Sequence, residues 1–234
     1  MRSSIKSFLI WLWSVVGRDA RPKVVFYHDV GREWTSMGTP ETMFWRHMKC
    51  LRAGDIVCFD DGFRGVWECR DKFKSLGIRP KIFVAPRLIG EHGHLSWNEL
   101  RVLQKDFGFD VQSHTWSHQT LVGPMIDESP REDRTEQWYH RELEGSRVKI
   151  ADEMGTAVTE LCFPAGNYSE ALISRCKAAG YTKVYTSIPG NKTIDFVQGR
   201  CIAQDLDTLG FRGLLHGGMV VLQTRYLMMM KFGN

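Results

Sequence analysis

Short runs of β-branched and aromatic residues alternate along this chain with longer amphipathic stretches, and no other feature constrains the fold as strongly. This order is typical of parallel sheets and barrels whose strands are joined by helices. Six runs are predicted as strands, and a seventh strand is expected near 198–203: 23–27, 55–59, 81–85, 109–113, 160–163 and 183–187. Residues 63–76 and 131–154 are each predicted as one helix. The sequence therefore predicts an α/β fold, a (β/α) barrel of about seven parallel strands with outer helices.

Polar residues that could carry chemistry follow four of these predicted strands. They are His28-Asp29 after the first strand, Asp60-Asp61-Gly62 after the second, 114–118 after the fourth and 164–166 after the fifth. In β/α barrels the C-terminal ends of the strands meet at one face, where active sites lie. We therefore expect these residues to lie together in one site.

The second and third of these groups suggest a metal site. Asp60 and Asp61 are adjacent carboxylates that repel each other, and neighbouring side chains at a strand end point in different directions. His114 and His118 are four residues apart, so on one face of a helical turn they could chelate one ion. Asp-Asp-Gly is also ordinary turn sequence, and an isolated HxxxH is more often two unrelated polar residues. The combination of one carboxylate with two imidazoles favours a catalytic metal site with open coordination positions.

Five segments resemble the motifs of one family, the polysaccharide deacetylases, also called the NodB-homology group of carbohydrate esterases (family four). Residues 58–62 (CFDDG) resemble the TFDDG motif, 113–118 (SHTWSH) the SHTxxH motif, and 163–168 (FPAGNY) the YPxGxY variant of motif three. Residues 26–30 (FYHDV) and 95–97 (LSW) resemble two further segments common in these domains. The matches occur in the family's order and spacing across residues 23–203.

The resemblance implies a distorted barrel, a reaction and a set of roles. Asp61, His114 and His118 would bind one divalent metal, usually Zn²⁺, with Co²⁺, Mn²⁺ and Ni²⁺ as alternatives. The metal would polarise the acetyl carbonyl and activate water, and Asp60 would be the general base. Substrate-binding candidates are Pro164, Ala165, Gly166, Tyr168 and Trp97, with a backbone N–H near Ala165 stabilising the oxyanion. The expected substrate is an N-acetylhexosamine unit of a glycan or a glycolipid precursor.

The chain also departs from the family pattern at two places. The arginine of motif three, which orients the catalytic aspartate, is replaced by Cys162, so another residue must hold Asp60. Arg200 and Asp205 are candidates for that role, although spacing alone does not show it. The general acid of the family is a histidine in an LxLH motif, and residues 214–217 (LLHG) match it imperfectly. His216 and the strand-exit residue His28 are therefore both candidate acids. The remaining histidines that carry no motif are expected at the surface: His47, His92, His94 and His140.

Residues 1–21 are expected to form an N-terminal segment separate from the catalytic domain, 22–234. Ile5, Phe8, Leu9, Leu12, Trp13 and Val16 recur at helical spacing. The apolar run is too short to span a bilayer, and Gly17-Arg18-Asp19-Ala20 is a poor signal-peptide cleavage site. A surface helix is therefore favoured over a cleaved signal. Its stripe could dock on the domain, bind a partner or contact a membrane peripherally through residues 1–17.

The net charge and the cysteine content indicate which binding partners and which cellular compartment to expect. The net charge of +4 comes from scattered residues without a basic stripe, which gives no support for nucleic-acid binding. None of the six cysteines forms a CxxC pair, and Cys58 and Cys162 are expected to be buried. A cytoplasmic location is therefore favoured, with peripheral membrane association and export both left open.

Two other functions fit the sequence less well. A related metal hydrolase could cleave a non-sugar C–N bond, although relatives of that kind often lack the full Asp-His-His set. A degenerate, non-catalytic sugar-binding module would not need Asp60, whereas the missing motif-three arginine favours it weakly.

Overall fold

The chain forms a nearly closed barrel of parallel strands in the computed structural model, which describes residues 2–16, 19, 21–122, 134–189 and 196–218. Within these residues the sheet has eight strands: β1 (Val24–Tyr27), β2 (Ile56–Asp60), β3 (Lys81–Val84), β4 (Asp110–Ser113), β5 (Glu160–Cys162), β6 (Lys183–Thr186), β7 (Val197–Gly199) and β8 (Cys201–Ile202). Their order is β7-β6-β5-β4-β3-β2-β1-β8. Only Arg200 separates β7 from β8, so the two edges of the sheet meet in one stretch of chain. The predicted barrel is confirmed, and its expected seventh strand is the one divided at Arg200.

Helices surround the sheet. In the described part of the chain these are α1 (Arg2–Val16), α2 (Glu41–Met48), α3 (Gly65–Glu68), α4 (Arg70–Ser75), α5 (Trp97–Phe107), α6 (Glu136–His140), α7 (Ser146–Met154), α8 (Glu170–Ala178) and α9 (Thr208–Leu215). A π-helical turn, Arg141–Gly145, joins α6 to α7. The prediction of one helix over 63–76 is wrong, because the backbone at Cys69 (φ −97°, ψ 4°) interrupts it. The helix predicted over 131–154 is helical from Glu136, and 131–133 lie outside the described residues.

The two faces of the sheet carry two different apolar clusters. Most of the core lies between the sheet and the helices. A smaller cluster lies on the other face of the strands and consists of Val24, Phe26, Cys58, Phe83, Cys162 and Tyr185. Because side chains alternate along a strand, β1, β2, β3, β5 and β6 each contribute to both clusters. Cys58 and Cys162 are buried as predicted. The second cluster forms the floor of the site described below.

His47 corrects one expectation from the sequence. It is fully buried, its ring stacks on that of Phe211 with centroids 4.2 Å apart, and its Nδ1 lies 3.0 Å from the Tyr27 hydroxyl. Burial lowers the pKa of His47 to about 4. This histidine is thus a neutral core residue and not a surface one.

The N-terminal segment forms α1 and packs against α9, which confirms the predicted helix. Among the described residues, none of the helices is both long enough and apolar enough to cross a bilayer. The apolar tail from 219 onward lies outside the described residues.

Candidate active site

The end of β2 separates the two adjacent aspartates. Asp60 is the last residue of the strand, whereas Asp61 has a φ of 70° and Gly62 a φ of 79°. Two successive residues in the left-handed region turn the chain sharply, and a non-glycine residue adopts that region only at a cost. A Cβ at position 62 would lie 3.2 Å from the side chains of Ile89 and Val84, so glycine also fits the space. As a result the two carboxylates point to different partners.

His114 and His118 belong to the segment after β4. They do not lie on a helical turn, as the sequence suggested, because Thr115 and His118 have φ values of 65° and 61°. Asp61, Thr115, His118 and Ala165 are the four non-glycine residues with positive φ among those described, and all four belong to motif segments. Such a concentration of unfavourable backbone geometry is typical of functional sites.

Asp61, His114 and His118 bring three metal-ligand atoms together. The Nε2 atoms of His118 and His114 lie 2.9 and 3.4 Å from Oδ1 of Asp61. One atom from each residue lies within 4.8 Å of the others. Oδ1 of Asp61 is buried and accepts no hydrogen bond of good geometry, although both imidazoles are close to it. Ligands at about 2.0–2.2 Å from a tetrahedral ion are separated by about 3.4 Å, so this cluster fits a metal ion.

The protonation state of His114 supports the same interpretation. Nδ1 of His114 lies 2.8 Å from the carbonyl oxygen of Cys162, so Nδ1–H donates there and the lone pair of Nε2 is directed at Asp61. Burial lowers the pKa of His114, which keeps the ring neutral, as a ligand must be. For His118, burial also opposes the charge, but the Asp61 carboxylate, whose Oδ1 is 2.9 Å from Nε2, outweighs it and raises the pKa. Protons therefore compete with a metal for His118.

A second group, Asp60, His114 and Cys162, also has three potential ligands within 4.8 Å of one another. It does not fit a metal ion. Both oxygens of Asp60 accept hydrogen bonds from Arg200, and burial raises the pKa of the Cys162 thiol well above its usual value. Of the two groups found among the described residues, the one formed by Asp61, His114 and His118 is thus the group whose ligand atoms are available to a metal ion.

Arg200 holds Asp60. Its Nη1 and Nη2 donate to Oδ1 and Oδ2 of Asp60 at 2.7 and 2.8 Å, and both side chains are buried. The guanidinium lies over the Phe26 ring, 4.2 Å from its centroid. Burial alone would raise the pKa of Asp60, but the charge and hydrogen bonds of Arg200 outweigh it and lower the pKa. Of the two candidates named from the sequence, Arg200 is thus the residue that holds Asp60.

His28 lies beside this pair. β1 and β2 are in register at Tyr27 and Phe59, so His28 and Asp60 leave neighbouring strands side by side. Nδ1 of His28 lies 2.6 Å from Oε1 of Gln204, and the charge of His28 is among those that lower the pKa of Asp60. His28 is half-buried, so it can reach both the site and solvent.

Asp29 has a structural role instead. Its two oxygens accept hydrogen bonds from the backbone N–H of Val30 and of Gly65, at 2.9 and 3.2 Å, which ties the end of β1 to the start of α3. A Cβ at position 65 would lie only 2.5 Å from Oδ1 of Asp29. Burial raises the pKa of Asp29 to about 7.

Glu142 fixes the loop that carries the histidines. Its Oε2 accepts a hydrogen bond from the backbone N–H of Ser117 at 2.9 Å, and its carbonyl oxygen accepts one from Trp116 at 3.1 Å. The side chain is fully buried and lies in the π-helical turn. Insertions of this kind often occur at functional sites because they redirect one side chain of a helix. Glu142 thus fixes the backbone at Trp116 and Ser117, next to His118.

Motif three forms a short 3₁₀ turn, Pro164–Gly166, after β5. Ala165 is exposed, with a φ of 58°. Its carbonyl accepts a hydrogen bond from Ser187, and a Cβ at position 166 would lie 2.0 Å from Oγ of that serine. The ring of Tyr168 stacks on Phe163, with centroids 6.0 Å apart. The turn is thus held rigidly at the same end of the barrel as Asp61.

Two predicted residues have their described contacts elsewhere. His216 follows α9, its side chain is exposed, and its carbonyl accepts a hydrogen bond from Asp19. Trp97 is the first residue of α5, packs partly against the core, and lies under Lys149 of α7. No contact among those described joins either residue to the metal-ligand cluster.

Two residues of the site were not found from the sequence. Gln204 directly follows the strand expected near 198–203, so the rule that active-site residues follow strands could have indicated it. Glu142 gives no such signal, because the position of a π-helical turn is not visible in a regular apolar pattern.

Comparisons with known proteins agree with this geometry. The sequence model for polysaccharide deacetylases matches residues 56–184, more than half of the chain. A polysaccharide deacetylase from Bacillus cereus has a similar fold, with a TM-score of 0.68, 19% identity, and coverage of 82% of this chain and 68% of that chain. IcaB from Ammonifex degensii gives a TM-score of 0.68, with 14% identity and coverage of 86% and 98%. The deacetylase PplD from Streptococcus pyogenes, in complex with acetate, gives a TM-score of 0.66 at 14% identity, with coverage of 87% of this chain and 97% of that chain. No curated protein sequence matches the chain.

Proposed function

Because the chain belongs to the polysaccharide deacetylase family, we propose that it is a metal-dependent hydrolase of acetylated amino sugars. Its substrate would be an N-acetylhexosamine unit of a glycan or a glycolipid precursor. The observation that carries the proposal is the convergence of Asp61, His114 and His118 beside the buried pair of Asp60 and Arg200. The similarity to a deacetylase whose structure contains acetate is consistent with acetate as the product.

One divalent ion would be held by Asp61, His114 and His118. A donor set of one carboxylate and two imidazoles suits Zn²⁺, and Co²⁺, Mn²⁺ or Ni²⁺ are compatible with the same ligands. When bound, such an ion supplies Lewis acidity toward a carbonyl oxygen and toward water. The backbone carbonyl of Cys162 accepts a hydrogen bond from Nδ1–H of His114, which fixes the orientation of that ring.

Asp60 would act as the general base and accept a proton from the attacking water. The two hydrogen bonds from Arg200 keep the carboxylate ionised and fix its orientation. Each carboxylate oxygen has a second lone pair, so Asp60 can still accept a hydrogen bond from water. The backbone of the rigid turn at Ala165 would contribute to binding the oxyanion, and Tyr168 and the turn residues would line the substrate site.

His28 would act as the general acid and donate a proton to the departing amine. With Nδ1–H donating to Oε1 of Gln204, the other ring nitrogen, Nε2, is left for the substrate. His216 is the alternative acid, but its exposed position after α9 makes it the weaker candidate. Gln204 would then orient the acid as Arg200 orients the base.

Acetate release is the direct test. Purified protein loaded with Zn²⁺ should release acetate from N-acetylglucosamine oligomers or lipid-linked N-acetylhexosamines, and an Asp60→Asn variant with unchanged metal content should not. Release from a non-sugar acetamide alone would indicate a hydrolase of another C–N bond. Binding of the sugars without acetate release by the metal-loaded wild-type protein would indicate a sugar-binding module.

A further inference from the structure

The face of α1 that docks on the domain carries two small polar side chains and one apolar side chain between them. Ser7, Ile10 and Ser14 are buried against α9, and the Ser7 hydroxyl accepts a hydrogen bond from the backbone N–H of Asp207 at 3.2 Å. Small side chains let two helix backbones approach closely. The contact is thus made by a narrow stripe of α1, and most of the large apolar residues of this helix lie outside the contact.

Glycines on the opposite side of this contact confirm how close the two backbones are. A Cβ at Gly210 would lie 2.5 Å from the Ser7 hydroxyl oxygen, and one at Gly213 would lie 2.6 Å from Cα of Trp11. Neither helix could approach the other in this way if α9 carried larger residues at these positions. The orientation of α1 is therefore fixed by the packing itself.

The large apolar residues of α1 lie on the outward face. Ile5, Phe8, Leu12 and Val15 are 58%, 50%, 41% and 59% exposed. At 100° per residue they lie opposite Ser7, Ile10 and Ser14 on the helix. A surface helix of a water-soluble domain normally turns its apolar stripe toward the core, so α1 is inverted. Leu9 and Trp11, at its edges, are 37% and 38% exposed and widen the apolar surface.

The described charges beside this surface are basic on two helices. α1 carries Lys6 and no acidic residue, and Arg212 is exposed on the neighbouring helix α9. Anionic headgroups would complement these charges, whereas pairing two copies through the same face would bring basic residues together. α1 has 15 residues and is about 22 Å long, which is less than the roughly 30 Å of a bilayer core.

We propose that α1 binds in the plane of an anionic lipid bilayer, through the outward face formed by Ile5, Phe8, Leu9, Trp11, Leu12 and Val15. The helix then anchors the catalytic domain, because its other face is fixed to α9. Ser7 of α1 contacts Asp207 at the start of α9, and Asp207 follows Gln204 closely in the chain. Because Gln204 contacts His28, this part of the anchoring helix lies beside the end of the barrel that carries the site. This proposal does not depend on the reaction that the site carries out.

Vesicle sedimentation with the full-length protein tests the proposal. We expect binding to vesicles of phosphatidylcholine mixed with phosphatidylglycerol, and weaker binding to phosphatidylcholine alone. The double substitution Phe8→Gln and Leu12→Gln removes two apolar side chains but keeps good helix formers, and should weaken binding at least about tenfold. Lys6→Glu should weaken binding to the phosphatidylglycerol vesicles only.

Leu76→Gln is the matched control, because Leu76 is 48% exposed but lies after α4, away from α1. It should bind vesicles as the wild-type protein does, and far-UV circular dichroism should show that all variants fold. The proposal is overturned if the wild-type protein does not sediment with anionic vesicles, or if the double variant sediments equally well. A dimer in solution that the double variant dissociates, without vesicle binding by the wild type, would assign the face to self-association instead.

Discussion

Replacing Arg200 with methionine should destabilise the protein strongly, because Asp60 would be left as a buried carboxylate without its partner. Both side chains are almost completely inaccessible, at 1% and 3% exposure, and their two hydrogen bonds measure 2.7 and 2.8 Å. Removing one partner of a buried ion pair costs about 3–5 kcal/mol. Methionine approximately fills the space of the arginine stem, so most of this loss should come from the unpaired charge and not from a cavity.

A double-mutant cycle separates those two contributions. In an Asp60→Asn background the buried Arg200 is itself the unpaired charge, so Arg200→Met removes that charge and should cost little or even stabilise the protein there. The assay is urea unfolding of the wild type, the two single variants and the double variant, in buffer with a chelator so that metal binding does not contribute. Arg200→Lys is the control that keeps the charge but loses the two-pronged geometry, and should give an intermediate loss. An equal cost of Arg200→Met in both backgrounds would refute the reasoning.

Three further predictions concern other parts of the molecule. Burial raises the folded-state pKa of Asp29 to about 7, so folding favours the protonated form of this carboxyl group. The stabilisation that protonated Asp29 contributes is complete below its unfolded-state pKa and is lost as the pH rises toward 7. Relative to Asp29→Asn, the wild-type free energy of unfolding should therefore fall by about 2–3 kcal/mol between pH 5 and pH 8, and a constant difference would contradict this. Gly213→Leu should detach α1 from α9, because even a Cβ at this position would overlap Trp11. Limited proteolysis should then cleave the N-terminal helix first, and unchanged protection of α1 from the protease would count against the close packing. His28→Ala should lower kcat about a hundredfold or more with unchanged metal content, whereas His216→Ala should not; the reverse outcome would make His216 the acid.

The barrel and the ligand cluster could be predicted because each depends on local sequence. Strand ends place Asp60, Asp61, His114 and His118 at one face of the barrel, and short motifs identify them. The predicted helical turn for the two histidines was wrong, because left-handed residues at Thr115 and His118 achieve the same convergence with a different backbone. Local sequence thus indicated which residues meet but not how.

The supporting residues could not be predicted in the same way. Arg200 reaches Asp60 across 140 residues of chain, and only the meeting of the sheet edges brings them together. The apolar stripe of α1 was visible in the sequence, but its outward direction is decided by Gly210 and Gly213 on another helix. Long-range packing therefore decides how the base is held and which way the N-terminal helix faces.

The most direct test of the central claim is a paired measurement of metal content and acetate release. Wild-type protein should carry about one Zn²⁺ per chain by elemental analysis and release acetate from an N-acetylhexosamine substrate. His114→Ala should lose both the metal and the activity, whereas Asp60→Asn should keep the metal and lose the activity. Full activity of chelated, metal-free protein, or a His114→Ala variant that keeps metal and activity, would contradict the assignment of Asp61, His114 and His118 as the metal site.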